Sequence, residues 1–145
     1  MDVTLRNACE DDMVFLHQLR DYTMRKYLEQ AGMQVTVDAY EARIRYEFHS
    51  AQIVEVNSQA IGLFKATYNS QINHWQLIQI QIAPEFQGLG IGSDLLKALI
   101  RSAAKSGATV GLSVIESNPA MMLYTNLGFK VISREGDEYL MKLQA

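Results

Sequence analysis

Apolar and polar residues change their period abruptly past the middle of the chain. From Trp75 to Ile82 they alternate, with Trp75, Leu77, Gln79 and Gln81 on a mixed side and Gln76, Ile78, Ile80 and Ile82 on an aliphatic one. A period of two predicts a strand, and Pro84, which has no N–H for a sheet ladder, ends it. From Gly90 to Ser106 the period becomes helical: Ile91, Leu95, Leu96, Leu99, Ile100, Ala103 and Ala104 form one stripe, while Ser93, Asp94, Lys97, Arg101 and Lys105 face away. Gly107 is placed to stop that helix.

The same two periods divide the rest of the chain. Val3 to Asn7 reads as a strand. A helix follows, capped by Asp11 or Asp12, with Phe15, Leu16, Leu19 and Tyr22 on one face, and it runs on or restarts through Gln30 before Gly32. A second helix is capped by Asp38, with Tyr40, Ile44 and Phe48 four residues apart. Gln52–Val56 and Ala60–Tyr68 form a hairpin around Asn57, Ser58 and Gln59, and a second polar turn over residues 69–73 leads into the strand at Trp75. Thr109–Val114 is a β-branched strand. A helical crossover separates it from Trp75–Ile82, so those two strands run parallel as neighbours. Asn118 caps a short helix with Pro119 first inside it and Gly128 just past its end; Phe129–Arg134 and Glu138–Leu143 close the chain as a hairpin. The expected fold class is therefore mixed α/β (α+β): a mostly antiparallel sheet of about seven strands, a central parallel pair and about four helices, in a single domain over residues 1–145.

Between strand and long helix lies Gln87-Gly88-Leu89-Gly90-Ile91-Gly92-Ser93. Three alternate glycines leave the first amide N–H groups of the helix uncovered. Those groups have no intrahelical partner, and the macrodipole adds positive character at the same end. Such an end takes a phosphate or pyrophosphate without a lysine. The bland alternative is a connector that lets strand and helix pack closely. A nucleoside-triphosphate loop would need Gly-Lys-Ser/Thr, and a dinucleotide fingerprint counted from Gly88 would find Ser93 where its third glycine belongs.

Composition narrows the classes. A chain of 145 residues that is 48% hydrophobic can bury a core, and 13 Lys+Arg against 16 Asp+Glu gives a net charge of −3 with no basic run. That disfavours phosphate-mediated nucleic-acid binding. The lone Cys9 excludes an internal disulfide framework and reads as a small packed apolar group. No apolar run approaches the roughly 18 residues of a membrane span, and the polar, acidic start does not read as a signal peptide; the cytoplasm is the default location. His17 reads as a surface residue and His74 as structural, and with His49 they have no metal-ligand spacing.

Two motifs resemble one family. Gln87-Gly88-Leu89-Gly90-Ile91-Gly92 is similar to the Q/R-x-x-G-x-G/A signature of the GCN5-related N-acetyltransferases, and Asn118 to Phe129 resembles that family's N-x-x-A-x-x-L-Y-x-x-x-G-F segment. The resemblance covers nearly the whole chain in order and spacing. It implies acetyl-coenzyme A as cosubstrate, a primary amine of a small molecule or protein as acceptor, and no metal. The pyrophosphate would sit on the amides of Gln87, Gly88, Leu89, Gly90, Ile91, Gly92 and Ser93, with the pantetheine arm against Ile80, Ile82, Ala83 and Asn118 between parallel strands that splay apart. Backbone groups of Ile82 and Ala83 would serve the thioester carbonyl, and Tyr124 would protonate the departing sulfur.

The same resemblance places Arg25, Tyr27 and Glu29 beside the acceptor, with Gln79 and Gln81 on the central strand. Relatives carry a glutamate base on that strand, where this chain has only those two amides, or on the strand before the asparagine motif, where Ser113 stands. A remote carboxylate (Glu29, Glu47 or Glu116) acting through water, an acceptor of low pKa, or no transfer at all remain open. A non-catalytic acyl-coenzyme A sensor of the same fold is the alternative function. Monomer and homodimer are equally compatible with the sequence.

Overall fold

The computed structural model describes residues 2–143. Seven strands, β1 (Val3–Asn7), β2 (Ala51–Val56), β3 (Gln59–Asn69), β4 (His74–Ile82), β5 (Thr109–Ile115), β6 (Lys130–Glu135) and β7 (Glu138–Leu143), hydrogen-bond in the order β1-β2-β3-β4-β5-β7-β6. The helices are α1 (Met13–Gln30), α2 (Val37–Arg45), α3 (Ile91–Lys105) and α4 (Ala120–Asn126). β4 and β5 are parallel and the remaining neighbours antiparallel, the mixed sheet that the periods predict. By contact density the chain forms two compact units, Met1–Lys65 with Gln79–Gly92, and Ala66–Ile78 with Ser93–Ala145.

In the first unit β1 pairs antiparallel with β2, and β2 with β3. Asn57 and Ser58 both adopt positive φ (51° and 65°), the twist that a two-residue hairpin turn needs to match its strands. Leu16, Leu19 and Leu28 of α1 and Tyr40 and Ile44 of α2 are buried with Ile53, Ile61 and Leu63 of the sheet. Tyr22 leaves the expected apolar face and is 70% exposed. Arg20 is buried instead, because the buried stripe of α1 runs Leu16, Leu19, Arg20, Leu28.

The caps also differ from expectation. Thr36, not Asp38, caps α2 by accepting from the Ala39 N–H at 3.2 Å. Asp12 precedes α1, but its carboxylate is taken by the fork of Arg6 (2.8 and 2.9 Å) and the Cys9 N–H (2.8 Å), which ties β1 to the helix entry. That loop leaves Cys9 exposed. Lys65, a cation on a buried strand, is fully buried. Its ammonium donates to the carbonyls of Tyr46 (2.6 Å), Ile44 (2.9 Å) and Arg43 (3.4 Å), so it closes the C-terminal end of α2.

In the second unit the parallel ladder pairs His74–Leu77 with Thr109–Leu112, while β5 also pairs antiparallel with β7 from Val110 to Ile115. His74 is structural: Nδ1 lies 2.6 Å from the Thr109 hydroxyl and Nε2 2.9 Å from the Gln76 side-chain carbonyl. Leu96, Leu99 and Ala103 bury the apolar stripe of α3, whereas Ala104 lies outside it. Gly107 ends α3 at φ +68°.

Candidate cofactor and acceptor site

β4 and the loop after it are shaped by a few local bonds. The Ala83 N–H donates to the Ile61 carbonyl at 2.7 Å. In an antiparallel pair, alternate residues bond to the same partner, so the backbone groups of Ile80 and Ile82 point off the edge of β4 that faces away from β3. A one-turn 3-10 helix, Pro84–Phe86, follows, and it engages the Gln87 N–H on the Pro84 carbonyl at 3.3 Å. The Gln87 side-chain amide donates back to the Ile82 carbonyl at 2.9 Å and so pins the loop to the strand end.

Two of the expected donors are thereby occupied inside the fold. Neither the Ala83 N–H nor the Gln87 N–H is free for a ligand.

Gly88 (φ +78°) and Gly90 (φ +82°) are left-handed, a conformation glycine adopts without strain. A Cβ at either would meet nothing within 4 Å, so the turn borders open space. Leu89 projects outward and is exposed, while Ile91 turns inward and is buried. Gly92 lies against Ile80 and Ile82: its Cβ would stand 3.7 and 3.9 Å from their side chains. The first-turn N–H groups of α3, from Ile91, Gly92 and Ser93, follow directly on this turn.

The other face of β4 differs. A Cβ on Gly62 would touch the Ile82 side chain at 3.0 Å, so Gly62 and Ile82 share one side. Strand alternation then puts Leu63 and Lys65 on the opposite side with Gln79 and Gln81. That mixed side is the more deeply buried one, with Gln79 and Gln81 each 6% exposed, whereas Ile78, Ile80 and Ile82 are half-buried. Both amide atoms of Gln79 are buried and without a hydrogen-bond partner. The Nε of Arg20, whose guanidinium stacks over Tyr40 at 5.5 Å, is a third such atom. Burial, then the charges of Arg43 and Arg20, pushes the Lys65 ammonium down to about 8.

The remaining acceptor candidates are less enclosed. Arg25 bridges Asp21 at 3.2 Å and Glu29 at 3.6 Å on the exposed side of α1, and Tyr27 is half-buried. Sequence reasoning missed the groove beside them, about 290 Å³, lined by His17, Asp21, Tyr22, Arg25, Val35 and Tyr40 among others. Asp21, four residues before Arg25, was its available signal; Asp21 also accepts from the Tyr40 hydroxyl at 3.0 Å. Each carboxylate considered as a remote base has a cationic neighbour or a histidine beside it: Glu29 with Arg25, Glu47 with His49 (3.3 Å) and Glu116 with Arg134 (2.7 Å). Among the described residues, no group of three His, Cys, Asp or Glu side chains could hold a metal ion, and no helix is long and apolar enough to cross a membrane.

In the second unit, Asn118 begins α4 by accepting from the Ala120 N–H at 3.0 Å. Tyr124, 6% exposed, packs edge-on to Phe129 at 6.1 Å. Burial pushes its hydroxyl up to about 12, and that hydroxyl makes no hydrogen bond among the described residues.

The family model described as "Acetyltransferase (GNAT) domain" matches residues 9–143. The chain belongs to this family. Curated relatives of the GNAT chain include the [ribosomal protein bS18]-alanine N-acetyltransferase of Haemophilus influenzae, 36% identical over 84 residues, which are 57% of this chain and 56% of that protein. The chain thus spans little more than half the length of that relative. The spermidine N(1)-acetyltransferase of Escherichia coli K12 is 26% identical over 145 residues, 89% of this chain and 73% of that one. Among solved structures, the PaiA N-acetyltransferase of Thermoplasma acidophilum in complex with coenzyme A superposes with TM-score 0.75 at 20% identity, covering 100% of both chains.

Proposed function

We propose that this protein transfers the acetyl group of acetyl-coenzyme A to a primary amine by direct attack in a ternary complex. The observation that carries the reading is the turn before α3, with two left-handed glycines facing open space ahead of uncovered amides, in a chain of this family. The pyrophosphate lies on the N–H groups of Gly88 to Ser93. The pantetheine amides bond the outward backbone groups of Ile80 along the edge of β4, which would otherwise have no partner.

Chemistry then needs three things. The Ile82 N–H donates to the thioester oxygen as it becomes an oxyanion. The amine nitrogen bonds to the carbonyl carbon and the carbon–sulfur bond breaks. Tyr124, held protonated by burial, gives its proton to the departing thiolate and regains one released by the new amide nitrogen. Asn118 orders the start of the helix that carries Tyr124. One observation favours the non-catalytic sensor: amides, not carboxylates, occupy the inward positions of β4.

The test is release of the coenzyme A thiol when the protein meets acetyl-coenzyme A and a panel of primary amines. Amine-dependent release supports the transferase. Tight coenzyme A binding with no release for any amine supports the sensor.

A further inference from the structure

We propose that the open face of the sheet formed by the first half of β4 with β5, β7 and β6 docks onto the same face of a second copy of this chain. On one face of that sheet Leu77, Val110, Leu112, Val114 and Met141 are all buried. Strand alternation and the observed register put Gln76, Gly111, Ser113, Leu140 and Lys142 on the other. There Ser113 is exposed, Gln76, Leu140 and Lys142 are half-buried, and Ile72 and Ile132 stand 65% and 60% exposed at the margins. A hollow of about 420 Å³ opens on this face, lined by Ile72, His74, Gln76, Ile132, Leu140 and Lys142 among others. Ile132 is the extra residue of a bulge in β6, between Val131 and Ser133. A bulge turns a strand edge away from edge-to-edge pairing, so the face rather than the edge is left for association.

The register of the closing hairpin names the occupant. Lys130 lies directly opposite Lys142 at one end, and Glu135 directly opposite Glu138 at the other. Like charges in direct opposition destabilise a sheet, yet this hairpin carries two such pairs. None of the four side chains has an ion-pair partner among the described residues. Residues opposed in register share a side, and positions 138, 140 and 142 alternate onto the same one, so both pairs lie on the open face with Leu140 and Ser133 between them. The pairs stand about 13 Å apart along β7 at about 3.3 Å per residue. That exceeds the roughly 10 Å screening length of 0.1 M salt, so neither neutralises the other within one copy. A two-fold axis in the plane of contact and perpendicular to the strands turns the second copy over and reverses its strands. Lys142 then meets Glu138 of the second copy and Lys130 meets its Glu135, with Leu140 against Leu140 at the centre. Such a contact is isologous and closes at two copies. A partner of one charge sign would satisfy only one end of the patch. The patch, four strands wide and about five residues long, covers roughly 300 Å² in projection, small for a stable complex, so the dimer is weak and reversible.

The experiment is sedimentation velocity of the full chain over about 5 to 500 µM in about 0.05 M NaCl. A monomer–dimer equilibrium with a Kd on the order of 10–100 µM is expected, as suits a small interface. In about 1 M NaCl, where the screening length falls to about 3 Å, the Kd should rise at least about tenfold. Two double variants then test the pairing: Lys130→Glu with Lys142→Glu, and Glu135→Lys with Glu138→Lys. Each exchanges one like-charged cross-strand pair for another, so thermal melts should stay within about 2 °C of the wild type, in the range of an ordinary surface change. Each variant alone should be monomeric, because its face carries a single sign. An equimolar mixture of the two should dimerise again, the all-acidic face of one against the all-basic face of the other. A wild type that stays monomeric up to about 500 µM overturns the inference, since even a weak interface associates there. So does a dimer indifferent to salt, one that persists in either double variant, or a pair of variants that stays monomeric when mixed. None of the four residues belongs to the acetyl-transfer site, so each of these outcomes leaves that reading untouched.

Discussion

Replacing Tyr124 by phenylalanine removes one hydroxyl from a ring that is otherwise held by burial and by its edge-on contact with Phe129. The hydroxyl has no partner among the described residues, so the folded state loses nothing but an unpaired polar atom. Stability should change by less than about 0.5 kcal/mol, a melting shift of at most about 2 °C for a chain of this size. Activity should change far more. A general acid contributes typically 10²- to 10⁴-fold, or about 2.7 to 5.4 kcal/mol of barrier at 1.36 kcal/mol per decade. Burial raises this hydroxyl to about 12, so it stays protonated through the working range, and the wild-type kcat should show no descending limb from Tyr124 below about pH 11. The assay is steady-state thiol release with an accepted amine, beside calorimetric coenzyme A affinity and a thermal melt on both proteins. A Tyr124→Phe variant whose kcat falls less than threefold would refute the acid role. A variant that loses coenzyme A affinity in step with kcat would refute it equally, since the hydroxyl would then be a binding contact.

Two further predictions concern the frame that positions the site. Gly62→Ala places a Cβ 2.5 Å from the Gln81 carbonyl oxygen, a backbone atom that cannot rotate aside; it should cost about 2 kcal/mol and lower the melting temperature by about 4–8 °C, and a melt unchanged within 1–2 °C would contradict that packing. Asp12, held down to about 2 by the Arg6 fork against an ordinary 3.8, stabilises the native state by about 2 kcal/mol above pH 4. Because its native pKa is depressed, that stability is lost as pH falls through about 2. Urea unfolding of wild type and Asp12→Asn should therefore differ by that amount at pH 7 and converge near pH 2.

Much of the fold was written in local periods. Glu138–Leu143 has the predicted bounds, α3 falls within one residue of its predicted ends, and the helical crossover implied the parallel β4–β5 pair. The faces were harder to read. Alternation in β4 identifies two sides but not which one is the more deeply buried. Gln79 and Gln81 lie deeper than Ile80 and Ile82, because the isoleucines are covered near the α3 entry by Gly92, which has no side chain. Likewise Lys65 could be placed on its face by counting, yet its burial depends on three carbonyls from residues about twenty positions earlier in the chain. The glycine turn was legible as a motif. That Ala83 and Gln87 spend their N–H groups within the fold was not, since those bonds depend on β3 and on the 3-10 turn.

The most direct test of the central claim is calorimetric titration of the purified protein with coenzyme A, repeated on Gly90→Glu. The glutamate side chain would enter the open space before α3 and place a carboxylate where the pyrophosphate should lie. Micromolar binding to the wild type that is abolished in a folded Gly90→Glu variant is the predicted result. No binding to the wild type, or equal binding to both proteins, would contradict the account.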